Sequence, residues 1–259
     1  TGVQTCALPI SPVYDIRNNL LPMFAESVRD SSLLLIDLGH GKDRLGGSVY
    51  SQVTQRFDSV TPDMEDPKEL KKFLELIRSL SAKGAILAYH DRSDGGLAAA
   101  LCEMMFASHV GVEIVADALV SKDRTLNQAL FNEELGAVIQ VARGRAAEVE
   151  RDFEAAGMGW SLKYLGNLTQ DDHLNIYLEG KCVLSEDRVD LQKAWNEVSW
   201  QIARMRDNPE CADSEYELIS DKHNGGLVLT MGFDPEENLA APFINTGVRP
   251  KIAILREQG

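Results

Sequence analysis

The sequence has no run approaching the roughly 18 consecutive apolar residues that a membrane-spanning helix needs, and no secretory signal pattern. It also lacks any CxxC pair, so neither a zinc site nor a disulfide framework is indicated. Of its 4 cysteines, Cys6 falls in a segment set aside below, and Cys102, Cys182 and Cys211 are widely spaced and odd in number. Reduced thiols in a cytoplasmic protein are the simplest account. Positive charge is scarce: 26 Lys and Arg face 40 Asp and Glu, a net charge of −14. That argues against an extended nucleic-acid surface, which wants a basic stripe, and gives no support for an anionic membrane partner. There is no internal repeat and no low-complexity segment, and GxxxxGK[ST] is not met. The histidines at 40, 109, 173 and 223 make no ligand spacing.

What remains is an ordinary globular composition, with 44% hydrophobic and 25% charged residues. A length of 259 residues holds one large domain or two small ones. Residues 33–37 (LLLID) read as a buried strand. Asp66, Pro67 and Glu69 form a helix start in which Asp66 caps, Pro67 fits the first turn and Glu69 closes a capping box. Leu70, Phe73, Leu74, Ile77 and Leu80 then share one helical face, and Gly84 ends the helix. An apolar run from Gly84 to Tyr89 reads as a short strand, and Leu97 to Ala107 as a helix apolar nearly all round, deeply buried and with Cys102 in the core. Further strands are expected at Val112–Val115, Ala137–Val141, Leu162–Leu165 and Leu174–Leu178, with a turn at Glu179-Gly180 before Cys182-Val183-Leu184. Helices are expected over Leu126–Phe131 and along Ala146, Val149, Phe153 and Ala156, the latter stopped by Gly157. The order predicts an α/β class (an α+β sandwich), with helices packed on a mixed sheet.

A different region starts near Ser185. Leu191, Trp195, Val198, Ile202 and Met205 recur at 4, 3, 4, 3 spacing, a narrow apolar stripe on a long helix. Such a stripe is either plain core or a helix seated on a partner surface. From Pro209 to about Asn224 the polar, acidic composition predicts a loop. Leu227–Met231 fits an edge strand, and Ala240–Pro250 an extended linker.

The chemistry concentrates between Ala88 and Gly96 (AYHDRSDGG). A strand–turn–helix step aims backbone N–H groups and a helix N-terminus at one spot, which suits a phosphate. Asp91 and Asp94 place carboxylates beside it, and Mg2+ is commonly held by one or two carboxylates plus phosphate oxygens. The plainer alternative is a tight connection with Asp94 or Ser93 as helix N-cap and Gly95-Gly96 allowing close packing. His90 reads as a packed, hydrogen-bonded residue. A second glycine-rich stretch runs from Leu38 to Ser48 (LGHGKDRLGGS), with glycines at 39, 41, 46 and 47. It is either a phosphate-cradling loop or a loop whose glycines open a helix. Asn132-Glu133-Glu134 precedes a strand and offers adjacent carboxylates, a candidate proton-transfer pair. Neighbours on a strand face opposite ways, so one buried and one exposed role is expected there.

The stretch from His90 to Leu97 (HDRSDGGL) resembles the signature of the C-terminal ATP-grasping module of the aminoimidazole ribonucleotide synthetase superfamily. The motifs at Ser11–Pro22 (SPVYDIRNNLLP), Leu130–Gly136 (LFNEELG), Arg206–Ala212 (RDNPECA) and Arg249–Gly259 (RPKIAILREQG) are similar to those of the large, single-chain phosphoribosylformylglycinamidine synthases. The resemblance covers residues 11–259. It implies the C-terminal domain fold of that superfamily over 11–184, a helical and extended connector over 185–248, and the first strand of a truncated glutaminase domain over 249–259. Residues 1–10 resemble the translation of a common sequencing adapter and are excluded from fold reasoning.

By position within the family motif, Asp91 matches a magnesium ligand and Ser93 a nucleotide contact, so Mg2+ and ATP or ADP are the implied cofactors. No residue of the chain is matched to a catalytic role. The implied parent enzyme is a cytoplasmic ligase of purine biosynthesis. It converts formylglycinamide ribonucleotide, with glutamine and ATP, into formylglycinamidine ribonucleotide. The partners implied are those substrates and the missing synthetase and glutaminase domains, without which this segment is expected to be inactive. Two rivals stand beside this: another ATP-using enzyme of the superfamily, and a non-catalytic domain whose bound nucleotide is a structural brace.

Overall fold

A computed structural model of the chain describes residues 19–28, 30–56, 60–224, 226, 227, 229–234, 236–244, 246, 247 and 251. The segment 1–10, most of the Ser11–Pro22 motif and all of 249–259 except Lys251 therefore lie outside the described residues. In chain order the elements are β1 (Ser31–Asp37), α1 (Val49–Thr54), α2 (Pro67–Ala82), β2 (Ala88–Asp91), α3 (Gly96–Ser108), β3 (Gly111–Val115), α4 (Leu126–Phe131), β4 (Gly136–Ala142), α5 (Ala146–Ala155), β5 (Leu162–Thr169), β6 (His173–Leu178), β7 (Lys181–Asp187), α6 (Arg188–Arg206) and α7 (Pro209–Glu217).

The seven strands form one sheet in the order β2-β4-β1-β5-β3-β6-β7. The β3–β6 pair is parallel and the others are antiparallel, so the sheet is mixed as expected. Burial on both faces explains why β1 is apolar at four consecutive positions rather than alternating. Leu33 and Leu35 join a core with α3 and α4 residues, including Leu97, Met104 and Leu130. Leu34 and Ile36 face the other way, into a core with Phe73 and Leu80 of α2 and Phe153 of α5. Each such side chain contributes about 1.5–3 kcal/mol on burial, so a polar residue anywhere from 33 to 36 disrupts one core or the other.

Several local expectations are corrected. β2 starts four residues later than the apolar run suggested: Ala85 and Ile86 are buried outside the strand, which includes His90 and Asp91. In α2, Asp66 caps by accepting the Lys68 N–H at 2.8 Å. Glu69 does not close a capping box; its carboxylate takes His40 Nε2 at 2.8 Å instead. Leu74 is 51% exposed, and Leu76 joins Leu70 and Ile77 against the core in its place.

The stretch after Pro209 is a helix, not a loop. Asn208 accepts the Cys211 N–H at 3.1 Å, and Pro209 occupies the first turn. Those start signals outweigh the polar composition. No strand forms among the described residues of 227–231, and the expected extended segment after Ala240 contains a 3-10 turn at Ala241–Phe243.

The apolar stripe of α6 is core only at its start. Leu191 packs on the α3 side of the sheet, and the Trp195 ring lies 5.9 Å from Phe106. Trp195, Val198, Ile202 and Met205 are all at least half exposed. α7 takes a different face of α6, where Trp200 stacks on Tyr216 at 4.3 Å. The sheet continues past residue 184 to Asp187, and the compact unit containing it runs through α6 and α7 to Lys222. A second unit begins at His223.

Candidate functional site

β2 is the edge strand beside β4, with Asp91 opposite Ala137. Its alternation sets the directions of the motif residues. Tyr89 packs against the α2/α5 core and donates its hydroxyl to Asp91 Oδ1 at 2.5 Å. Burial, then the Asp91 carboxylate, raises the pKa of this phenol, so it stays a donor. Asp91 itself is exposed, and its Oδ2 has no hydrogen-bond partner among the described residues. His90 turns the other way. Its Nε2 lies 2.9 Å from Glu103 of α3, and its Nδ1 lies 2.7 Å from the Asp91 carbonyl. It is the packed histidine the sequence predicts.

Arg92 is the deep anchor of the turn. Its side chain is 0% exposed, its Nη2 donates to Asp37 Oδ1 at 2.7 Å, and its Nε donates to the Glu134 carbonyl at 2.6 Å. Its Nη1 has no partner among the described residues. On either side, Asp91 and Ser93 are exposed, so the turn buries its middle residue and presents the two flanking ones. The Ser93 hydroxyl makes no hydrogen bond among the described residues, while its carbonyl accepts the Gly96 N–H at 2.9 Å.

The plainer reading of the turn needs one correction. Neither Ser93 nor Asp94 caps α3; the N-cap is Gly95, at φ 80°. The Gly95 N–H goes instead to Glu133 Oε1 at 2.9 Å. Gly96 has φ 68°, and a Cβ there would lie 2.6 Å from the Asn132 carbonyl oxygen. Both positions thus require glycine for the turn, as expected.

The second glycine stretch leads from β1 to α1. Asp37 closes β1, is 2% exposed and accepts the Gly39 N–H at 3.1 Å. Burial alone would raise its pKa, but Arg92, this backbone bond and Lys163 together hold it down at about 2. Asp43 is shifted the other way. Burial raises it beyond what its ion pair with Arg124 offsets. Arg44 grips buried Glu134 through Nε and Nη2, each at 2.7 Å. The Gly46-Gly47 pair opens α1, which Ser48 caps by accepting the Ser51 N–H at 3.2 Å. A cleft of about 550 Å3 lies beside α1, lined among others by Leu45, Tyr50, Ser51 and Arg56.

Asn132, Glu133 and Glu134 precede β4, as the sequence suggests. Glu134 is 1% exposed, the buried member the sequence suggests, but Glu133 is half-buried rather than exposed. Sequence reasoning did not find the roles of Asp37, Tyr89, Arg92 or Arg124. An aspartate closing an apolar run of four residues was a visible signal for Asp37; Arg124 carries none. Burial pushes the Cys102 thiol up to about 12, which fits a packed, inert cysteine, and no disulfide forms among the described residues. No described group of three or more His, Cys, Asp or Glu side chains could hold a metal ion. One carboxylate oxygen at Asp91 would therefore be a partial ligand set, to be completed by phosphate, water or residues elsewhere. Among the described residues no helix is long and apolar enough to cross a membrane.

Residues 31–179 match the family model described as AIR synthase related protein, C-terminal domain. Among solved structures, phosphoribosylformylglycinamidine synthase II from Thermotoga maritima is similar at 12% identity and TM-score 0.52, covering 65% of this chain and 26% of that one. T. maritima PurL complexed with AMPPCP gives 11% identity and TM-score 0.53, covering 67% and 27%. The same PurL complexed with FGAR gives 14% and 0.52, covering 68% and 30%. At these identities the likeness is one of fold. The chain spans roughly a quarter to a third of the length of these proteins.

Proposed function

This chain belongs to the family of the AIR synthase related protein C-terminal domain, and from that premise we propose that it supplies one wall of a magnesium–nucleotide site in an ATP-dependent synthase. Asp91 is the metal ligand and Ser93 the nucleotide contact. The observation that carries this reading is the division of the β2–α3 turn. Arg92 is locked inside by Asp37 and the Glu134 carbonyl, while Asp91 and Ser93 are held outside with a carboxylate oxygen and a hydroxyl that have no partner among the described residues. A carboxylate oxygen is a hard donor suited to Mg2+, and a hydroxyl donates to a phosphate oxygen. Bound there, Mg2+ would neutralise phosphate charge. Tyr89 keeps the Asp91 carboxylate oriented, and Arg92 keeps the turn from moving.

The parent reaction that fits the motifs is the conversion of formylglycinamide ribonucleotide to formylglycinamidine ribonucleotide, with ATP and glutamine, in the cytoplasm. This segment's share is binding and orientation. The acid–base groups at the turn are already engaged with each other, Tyr89 with Asp91 and His90 with Glu103. That favours a holding role here, including a nucleotide kept as a structural brace, over proton transfer. The test is to graft residues 11–259 into a complete synthase in place of its equivalent segment. Nucleotide and Mg2+ carried through purification are then quantified for the graft and for Asp91→Ala. Retention lost in the variant supports the reading; equal retention in both returns the turn to a packing role.

A further inference from the structure

The two glycine-rich stretches are far apart in sequence, yet one short segment holds both. Asn132 donates from Nδ2 to Asp43 Oδ1 at 3.0 Å. Glu134 accepts from the Arg44 backbone N–H at 3.0 Å and from its guanidinium. Between them, Glu133 Oε1 accepts the Val49 N–H, which opens α1, and the Gly95 N–H, which opens α3, each at 2.9 Å. The backbone of the same segment binds Arg92: the carbonyls of Glu134 and Leu135 accept from its guanidinium, and that of Gly136 from its N–H. Asn132 and Glu134 are themselves immobilised, at 0% and 1% exposure. Glu133 is therefore a side chain on a fixed stem with one oxygen in both turns.

We propose that Glu133 is a positioning residue that clasps the Gly46–Ser48 turn to the Asp91–Gly96 turn, so that the two turns form one nucleotide-binding face and move as a unit. This rests on the nucleotide reading of the Asp91 turn. It extends that reading by joining the second glycine stretch to the same site through a carboxylate that itself fills the two N–H groups. Those N–H groups are consequently not the phosphate donors that a strand–turn–helix step suggests; their task is to receive Glu133. A phosphate at this face meets the Ser93 hydroxyl and an Asp91-bound cation, with Glu133 setting the distance between the turns.

The test measures amide hydrogen exchange on the 259-residue chain without ligand, and Mg2+·ADP affinity by calorimetry on a complete synthase carrying residues 11–259 as a graft. Glu133→Ala should lose protection at the Val49 and Gly95 amides together and weaken Mg2+·ADP by about tenfold or more. Glu133→Gln, whose amide oxygen still accepts both N–H groups, should restore most of each. Glu133→Asp, one methylene shorter, replaces the alanine variant if that fails to fold. Unchanged exchange at Val49 and Gly95 overturns the clasp. Lost protection with unchanged Mg2+·ADP affinity overturns its role in binding. A graft whose Mg2+·ADP binding is unchanged by Asp91→Ala refutes the nucleotide reading itself and, with it, the positioning role, while the exchange result still decides whether the clasp exists.

Discussion

Replacing Asp37 with Asn should cost more stability than almost any other single polar change in this chain. Asp37 is 2% exposed and faces Arg92 Nη2 at 2.7 Å, with Arg124 and Lys163 nitrogens each at 3.5 Å. The asparagine keeps the shape and an acceptor but removes the carboxylate directly paired with Arg92, whose side chain is 0% exposed. Breaking one side of a buried pair typically costs about 3–5 kcal/mol, because a charge is left buried and uncompensated. A domain has only about 5–15 kcal/mol in total. At about 2–4 °C per kcal/mol for a chain of this size, the melting temperature should fall by roughly 6–20 °C. Urea and thermal unfolding followed by circular dichroism read this directly. The double variant Asp37→Asn/Arg92→Met should recover much of the loss, since it removes both charges. A loss below about 1 kcal/mol for Asp37→Asn, or no recovery in the double variant, refutes the argument that charge balance holds this turn.

The same pair sets a pH dependence. The folded pKa of Asp37 is lowered from 3.8 to about 2. Its stabilisation is therefore complete above the unfolded value and is lost as pH falls through the folded one, between about pH 4 and 2. Nearly two units correspond to about 2 kcal/mol. Asp43 acts in the opposite sense: its folded pKa is raised, so the folded state takes up a proton first and regains stability as pH falls. The wild-type urea midpoint should thus drop more steeply from about pH 5 to about pH 2.5 than that of Asp37→Asn, which keeps every other carboxylate. Equal slopes in the two proteins would show that Asp37 is not the group titrating.

Gly166→Ala should prevent the sheet from closing at its centre. A Cβ there would lie 1.8 Å from the Glu113 carbonyl oxygen of β3, a backbone atom that cannot step aside. Its cost should exceed about 4 kcal/mol, and a variant that unfolds within about 1 kcal/mol of wild type in urea contradicts the close approach. Thr125→Ala removes the capping box of α4, in which Thr125 Oγ1 accepts the Gln128 N–H at 3.3 Å and Gln128 Oε1 accepts the Thr125 N–H at 3.0 Å. It should cost about 1 kcal/mol by chemical denaturation, with Thr125→Ser close to wild type.

Six of the seven strands were legible at least in part as apolar runs, β7 being signalled only by the turn at Glu179-Gly180, and the reason is visible in β1. Where a strand is buried on both faces, every residue votes for burial and the run stands out. Legibility failed where burial and composition part company. The run from Gly84 to Tyr89 misplaced β2 because Ala85 and Ile86 are core residues of a connecting segment. α7 was hidden by its acidic surface, although Asn208 and Pro209 spell a helix start. The stripe of α6 has the spacing of a packed helix. Sequence periodicity reports a face, not its cover, and from Trp195 onward the face is at least half exposed at each stripe position.

At the site the motif announced its exposed members and concealed its supports. Asp91 and Ser93 stand out because their neighbours, two glycines and a histidine, form a recognisable string. What fixes them comes from elsewhere in the chain: Asp37 from the end of β1, Glu133 and the carbonyls of Glu134 and Leu135 from the segment before β4. Only pairing of β1 and β2 with β4 brings these within reach. No spacing rule on a linear sequence encodes that, since the separations are tens of residues and set by strand order. The support is nonetheless the more demanding half of the design. An exposed carboxylate binds a cation only if it is already aimed, and here the aim is set by a buried arginine, a phenol and a glutamate that sequence reading left without a role. Variants of Arg92, Tyr89 and Glu133 should therefore discriminate between a binding turn and a packing turn as sharply as changes to Asp91 itself.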